Sequence, residues 1–469
     1  MRVGIIYHKG HGEHEGRPRY TILSISALCP SCPLWFPLLN AMSTRTDPNT
    51  LWRLIVQAGG VRAYVDGQLR ERGFLVERRD ADAMSDREKD QYKKQLKVEA
   101  EERRKLKREA WVAFKANHVV HLGAGVFWTD EPKPDKWDTP NSEERAAENE
   151  LPALDTPQQL AEALGVTVPQ LRGLAFHRDA ATRLHYARFT IPKRDGTARA
   201  IWAPKTRLKA AQRWILHNVV ERLPVHGAAH GFLVGRSILS NAELHVDSKV
   251  ILKMDVTEFF PTVTWRRVKG VFRRAGYRDG ISTLLALLCT EAPREVVVVE
   301  GKTYYVSLGP RCLPQGAPTS PAITNALCLR LDRRLAGLAN KLGWRYSRYA
   351  DDLTFSLPAG HKDKPRLGAL LGCVRRVVQA EGFAVKDEKT RVHRTGGRQS
   401  VTGLVVNGDG PPRTPRKLRR ELRAAVHNLK AGKPPKDGES LARLTGFAAY
   451  VYMTDAMLGK KLLADLNRS

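Results

Sequence analysis

Tyr349-Ala350-Asp351-Asp352 decides how the rest of the chain is read. Trp344-Arg345-Tyr346-Ser347-Arg348 precedes it and Leu353-Thr354-Phe355-Ser356-Leu357 follows. In the second run, large apolar residues alternate with small hydroxyls, the period of a half-buried strand. Two carboxylates between two such runs read as the turn of a hairpin. Their mutual repulsion costs stability unless cations neutralise it. The dipeptide is therefore either a solvated turn or half of a divalent-metal site.

A third carboxylate weighs for the metal site. Asp255 ends the run Val250-Ile251-Leu252-Lys253-Met254, apolar enough for a buried central strand, and Phe259-Phe260-Pro261 stop that strand beside the acid. A strand-end Asp and a hairpin Asp pair can converge on two Mg²⁺ ions, which activate a 3′-hydroxyl and stabilise a departing pyrophosphate. Between them, Leu313-Pro314-Gln315-Gly316-Ala317-Pro318-Thr319-Ser320-Pro321 is a turn-rich loop entering a helix. Thr319 or Ser320 would cap it, with Pro321 near the first turn. Leu327, Leu331, Leu335, Leu338 and Leu342 then mark one helical face.

Asp255-Val256-Thr257-Glu258-Phe259-Phe260, Pro314-Gln315-Gly316 and Tyr349-Ala350-Asp351-Asp352, in this order, resemble the palm motifs of reverse transcriptases. Asn241-Ala242-Glu243-Leu244-His245 is similar to the Asn-Ala-x-x-His element of bacterial retron reverse transcriptases, which make multicopy single-stranded DNA (msDNA). Val401-Thr402-Gly403 is similar to their Val-Thr-Gly element. The resemblance covers roughly residues 150–469. It implies an RNA-directed DNA polymerase using dNTPs and two Mg²⁺ ions, with Asp255, Asp351 and Asp352 as catalytic carboxylates and metal ligands. It further implies priming from the 2′-hydroxyl of a guanosine in a partner noncoding RNA. The product would be DNA branched from RNA, with an RNA–DNA hybrid on the way, an effector protein as a further partner and antiphage defence as the setting. Phe260 is placed to stack under the incoming sugar and exclude a 2′-OH, and Phe259 to pack inside. Gln315 and Gly316 would line the template–dNTP pocket.

Competing readings are a group II intron or diversity-generating reverse transcriptase, and an RNA-binding protein with an inactive polymerase fold. The intact Asp triplet speaks against the last. No Cys/His-rich endonuclease tail follows the final helices, which speaks against the intron enzyme.

The 469 residues exceed the size of about 250–300 at which single cores stop growing. The chain is 42% hydrophobic, enough for a core, and its net charge of +29 fits a polyanionic partner. Six cysteines over this length are no disulfide framework. No apolar run reaches membrane-spanning length. A reducing cytoplasm, away from membranes, is the expected compartment.

Residues 1–150 read as an extension, partly disordered or helical. His11-x-x-His14 and Cys29-x-x-Cys32 either supply four zinc ligands or belong to an incidental leader ahead of Met42; a signal peptide does not fit. Residues 50–75 predict a short amphipathic helix and a turn. Residues 85–110 predict an exposed single helix or charged tether, solvated or touching RNA. Residues 130–152 read as a linker.

From Thr156-Pro157 the pattern is regular, with helices through Leu160 and Leu164 and through Leu171 and Leu174. Tyr186 to Pro192 and Arg199 to Pro204 predict strands around the turn Lys193-Arg194-Asp195-Gly196. This hairpin is similar to polymerase fingers, whose basic residues clamp a triphosphate. Arg199 is the first candidate, because its planar fork suits phosphate oxygens, and Lys193 the second. Leu208 to Val220 predicts a helix with Gln212 and Arg213 facing the template. Gly227 to Ser240 predicts a loop near the cleft. Asn241 and His245, four apart, share a helical face; the face is either structural, with His245 buried and hydrogen-bonded, or, as the retron resemblance implies, part of an RNA-recognition surface.

Further on, Leu367 to Ala380 predicts a helix and Gly382-Phe383-Ala384-Val385 a strand. Lys389 falls where polymerases place a lysine near the triphosphate, able to protonate pyrophosphate. Leu404-Val405-Val406-Asn407 is similar to a primer-grip hairpin. Leu418, Leu422, Ala425 and Leu429 trace an apolar stripe, while Arg416, Lys417, Arg419, Arg420 and Arg423 crowd the other surfaces. Such a helix suits a nucleic-acid backbone. The resulting expectation is an α+β right-hand polymerase: fingers over 151–250, a ferredoxin-like palm with interleaved fingers elements over 251–410, and a helical thumb over 411–469. Its RNA-binding set is Asn241, His245, Val401, Thr402, Gly403, Arg416, Arg419, Arg420 and Arg423.

Overall fold

A computed structural model describes residues 46–129, 138–192, 196–362, 365–433 and 440–467. His11, His14, Cys29, Cys32 and Met42 lie outside the described residues, as does Lys193. The first described helices are α1 (Pro48–Gln57), α2 (Val61–Glu71) and α3 (Asp86–Asn117). α3 was expected to stand alone or form a tether. It instead buries Leu106, Ala110 and Ala113 against Leu51 and Ile55 of α1 and Val65 and Leu69 of α2. Its buried Glu99 is neutralised by Arg78 and Arg103, at 2.9 Å each. Within the expected linker, α4 (Ser142–Glu148) packs on a later helix: a Cβ on Gly276 would meet Ser142 O at 2.3 Å.

α5 (Pro157–Ala163) and α6 (Val168–Ala175) start at Thr156 and Thr167, each in a capping box with Gln159 or Gln170. β1 (Ala180–Ala181) precedes the hairpin of β2 (Tyr186–Pro192) and β3 (Ala198–Pro204). α7 (Thr206–Asn218) and the short α8 (Ile238–Glu243) lead to β4 (Ser248–Asp255). Then come α9 (Trp265–Ala275), α10 (Asp279–Cys289), β5 (Arg294–Val299) and β6 (Lys302–Ser307). The leucine stripe after Pro321 is broken at Cys328, giving α11 (Ser320–Leu327) and α12 (Leu329–Lys341) rather than one helix. β7 (Arg345–Tyr349), β8 (Asp352–Pro358), α13 (Leu367–Ala380) and β9 (Arg391–Arg394) follow. The run Gly382 to Val385, predicted as a strand, contributes a single bridge, Val385 to Val256. The last elements are β10 (Ser400–Val401), β11 (Leu404–Val405), α14 (Arg416–Lys430), α15 (Leu441–Tyr452) and α16 (Ala456–Leu466).

One antiparallel sheet, ordered β7-β8-β4-β9, organises the molecule. Its strands enter in the order strand, helices, strand, strand, helix, strand. β4 alternates as a two-sided strand must. Val250, Leu252 and Met254 join the main core with Phe272 of α9, Leu335 of α12 and Val374 of α13. Ile251 points the other way, onto Ala242 of α8 and Val401, Leu404 and Val406 around the β10–β11 hairpin. β1 pairs with β6, so an early segment completes a sheet begun by a later insertion. α14, α15 and α16 share a separate small core of Leu422, Val426, Leu444, Val451 and Leu462.

Candidate active site

The site grows from the β7–β8 turn. Tyr349 pairs with Asp352, leaving Ala350-Asp351 as a two-residue turn with Ala350 at φ +56°, a left-handed conformation that costs a non-glycine residue free energy. Asp255, the last residue of β4, lies directly across from Asp352, and the Val256 N–H donates to Asp351 O at 3.0 Å. The three carboxylates thus meet at one end of two neighbouring strands, where the hairpin reading placed them.

A bracing network holds the strained turn. Arg348 and Asp332 are both fully buried and joined by a two-pronged ion pair, with Nη2 to Oδ2 at 2.7 Å and Nε to Oδ1 at 2.8 Å. Arg348 also donates to Asn325 Oδ1 at 3.0 Å and to Ala350 O at 3.2 Å. Asn325 in turn donates to Gly231 O at 2.8 Å. Gly231 presses against the turn from outside; a Cβ there would stand 2.7 Å from Ala350 N. Sequence reasoning missed Arg348, Asp332, Asn325 and Gly231. The available signal was Asp332, a carboxylate flanked on α12 by Leu331 and Leu335, both buried.

Electrostatics follow from the crowding. Burial pushes the Asp351 carboxyl up to about 6, and the neighbouring charges of Asp352 and Asp255 add to it. Burial raises Asp352 as well. The Lys389 ammonium donates to Asp255 Oδ2 at 2.8 Å and supplies the nearby positive charge. Among the described residues no three His, Cys, Asp or Glu side chains form a ready-made metal cage. The donor set nonetheless fits a hard divalent cation: oxygen ligands only, adjacent in register, and short of positive charge. Asp255, Asp351 and Asp352 are the residues that would hold it.

A cleft of about 900 Å³ opens over Asp255 and Asp351. Arg199, Phe260, Gln315, Gly316 and Lys389 all line it. Gly316 is at φ +118°, and a Cβ there would meet Ile201 at 2.7 Å and Trp202 O at 2.9 Å. The loop can therefore lie flat on β3, where the Trp202 N–H donates to Gln315 O at 2.7 Å. Phe259 is buried, with its ring 5.5 Å from that of Phe383, and Phe260 stays half-buried at the cleft. Arg213 lines the cleft, but Gln212 does not face it. Gln212 is fully buried and donates to the Tyr186 hydroxyl and Leu288 O, both at 2.8 Å.

The expected RNA-recognition surface needs the largest correction. Asn241, His245 and Val401 have no exposed surface. His245 sits under the sheet between Ser356 Oγ at 2.8 Å and Ser347 Oγ at 2.7 Å. The helical spacing was right, but the shared face points inward. Asn241 and Val401 lie in the same interior, and Thr402 Oγ1 donates to Ile238 O at 2.9 Å. What reaches the surface is the Thr402-Gly403 turn, with both residues at positive φ as a tight two-residue hairpin requires. On α14, Arg416, Arg420 and Arg423 are exposed and Arg419 is half-buried.

Burial holds the His245 imidazole down at about 3, so it stays neutral in the fold while the unfolded chain's imidazole protonates near 6.5. Its contribution to stability is complete above about pH 6.5 and is lost as pH falls, by about 2 kcal/mol at pH 5. The expected result is a lower urea midpoint at pH 5 than at pH 7, with a smaller drop in His245→Gln. An equal drop in both would place the acid sensitivity elsewhere.

Comparison with known proteins agrees with the geometry. A family model described as "Reverse transcriptase (RNA-dependent DNA polymerase)" matches residues 191–416. The retron Mx162 reverse transcriptase of Myxococcus xanthus is 55% identical over 424 residues, 88% of this chain and 87% of that protein. The retron Mx65 reverse transcriptase of the same organism is 46% identical, covering 66% and 71% of the two chains. The retron Ec86 reverse transcriptase of Escherichia coli is 30% identical, covering 68% and 90%. On these similarities and this site, the chain belongs to the retron reverse transcriptases, RNA-directed DNA polymerases of msDNA synthesis with a right-hand polymerase fold.

Proposed function

We propose that the enzyme copies part of a folded noncoding RNA into DNA, starting from the 2′-hydroxyl of a guanosine in that same RNA. The product is single-stranded DNA branched from RNA. The observation that carries this reading is the convergence of Asp255, Asp351 and Lys389 at the floor of a cleft lined by Arg199, Phe260 and the Gln315-Gly316 loop. In-line transfer of a nucleotidyl group asks a protein mainly to position its reactants and neutralise charge. Reverse transcriptases work with divalent metal ions. Two Mg²⁺ ions on Asp255, Asp351 and Asp352 would supply the Lewis acidity for the attacking and leaving oxygens.

The protein's own groups do the rest. Arg199 grips the triphosphate, with Lys193, at the start of the same hairpin turn in the sequence, as the second basic residue. Lys389 meets the pyrophosphate end, as charge or as proton donor. Phe260 supports the sugar and excludes a 2′-OH, so dNTPs are preferred. In this reading residues 151–250 are the fingers, 251–410 a ferredoxin-like palm with interleaved fingers elements, 411–469 the thumb and 1–150 an extension. The β1–β6 pairing supports the interleaving. No described helix is long and apolar enough to cross a membrane. The setting is cytoplasmic antiphage defence with an effector protein.

RNA selection falls to the exposed turn at Thr402-Gly403 and the basic surface of α14. Neutralising Arg419, Arg420 and Arg423 together is expected to weaken RNA binding and lower its log–log salt slope by about 0.7–0.9 for each phosphate that these side chains neutralise. Priming on the folded RNA should fall further than extension of a generic primer–template. An unchanged slope with undiminished priming would leave these arginines as solubilising charges only.

A further inference from the structure

The long helix α3 takes no part in the cleft. Its inward side is used by Leu106, Ala110 and Ala113. On the opposite side, Lys93, Lys97, Arg104, Arg108, Trp111 and Lys115 fall within an arc of about 60° at 3.6 residues per turn. No acidic residue between Lys93 and Lys115 falls in that arc. Glu101 borders the arc, and the other acids of this stretch sit on other sides, where Glu99 pairs with Arg103 and Glu102 with Lys105. The stripe runs about 33 Å. None of its five cations has an ion-pair partner among the described residues.

An aromatic pile stands at one end of the stripe. Trp111 is 50% exposed and lies nearly parallel to Phe114, at 10° and 5.4 Å between ring centroids. Phe114 in turn lies on His118, at 8° and 4.0 Å. Trp52 of α1 packs edge-on against both. Lys115 holds its ammonium 5.7 Å from the Trp111 ring, and Val112 beside it is 53% exposed. The pile fixes the indole's orientation while leaving half its surface in water. An indole oriented in this way beside a line of unpaired cations matches what unpaired nucleic acid offers: phosphates in a row and a flat base. The residues just after α3 enter the main core through Val119 and Leu122, so the helix is anchored to the body that carries the cleft.

We infer that this face of α3 binds the partner RNA, with phosphates along the stripe and an unpaired base on Trp111. The inference rests on the proposed function, in which the partner is an RNA.

The test uses the full-length protein and a fluorescent stem–loop RNA with an unpaired tail, titrated over a salt series. Arg104→Gln/Arg108→Gln should lower the log–log salt slope by about 0.7–0.9 for each charge removed, and Arg104→Lys/Arg108→Lys should restore it. Arg70→Gln/Arg72→Gln removes two exposed charges at the C-terminal end of α2 and should leave the slope alone. Trp111→Ala should raise Kd by about five- to a hundred-fold with little change in slope, whereas Trp111→Phe should keep most of the affinity. Unchanged melting curves guard against misfolding. Equal slope losses for the two arginine pairs would reduce the effect to net charge and overturn the inference, as would an unchanged Kd in Trp111→Ala. A wild type that binds no RNA would overturn it together with the proposed function it rests on.

Discussion

Asp351→Asn or Asp352→Asn is expected to lower dNTP incorporation on an RNA template by about 10³-fold or more, the rate equivalent of several kcal/mol of metal-assisted charge stabilisation. Binding of the RNA should change little, because the basic surface of α14 is untouched. The variants also carry an internal control. In the metal-free fold burial holds the Asp351 carboxyl at about 6, with Asp352 and Asp255 adding repulsion, so its ionised form is a strain on the structure. An amide there relieves it, and Asp351→Asn should melt no lower than wild type at neutral pH. Loss of activity with an equal or higher Tm separates lost chemistry from lost fold. Vigorous synthesis by the double variant would remove these residues from the mechanism.

Arg348→Met should be the most damaging substitution for the fold. Arg348 and Asp332 are both fully buried, and deleting one partner leaves the other charge uncompensated, at a cost of about 3–5 kcal/mol. It also removes the donor to Ala350 O, so the strained turn that presents Asp351 loosens. Urea unfolding measures the first effect and primer extension the second. The paired change Arg348→Met/Asp332→Leu should recover much of the stability, since apolar replacement of a whole buried pair is often neutral. It should not recover activity, because Ala350 and Asn325 remain unbraced. A single-variant cost below about 1 kcal/mol would mean the pair behaves like a surface bridge.

These two sites mark what could and could not be seen in the sequence. The hairpin at Asp351-Asp352 was legible because alternation at Leu353 to Leu357 is a local signal. Asp255 was legible because an apolar run ends on it. Both depend on neighbours in the chain. The Arg348–Asp332 pair depends on residues 16 apart on a strand and a helix, and each alone looks like a surface charge. Periodicity placed Asn241 and His245 on one side of a turn of helix, but it cannot say whether that side meets solvent or a sheet. Ile251 of β4 and Val401, distant in sequence, made it the inside. Gln212 went astray for the same reason, its partners being Tyr186 and Leu288. α3 looked like a tether because its charges outnumber its apolar residues. Leu106, Ala110 and Ala113 suffice to seat it, since they share one side and α1 and α2 supply the rest. The strand read at Gly382 to Val385 shortens to one bridge because its partner, Val256, lies just past the end of β4, where no regular strand continues to pair with it.

The most direct test of the account is the nature of the product. Nucleic acid that copurifies with the wild-type protein from cells carrying its neighbouring noncoding RNA should be digested with ribonuclease and the remaining junction sequenced. The account predicts single-stranded DNA joined through its 5′ end to the 2′-oxygen of one guanosine in an RNA, absent from the Asp351→Asn/Asp352→Asn protein. Copurified RNA with no DNA attached, or DNA with a free 5′ end, would contradict it.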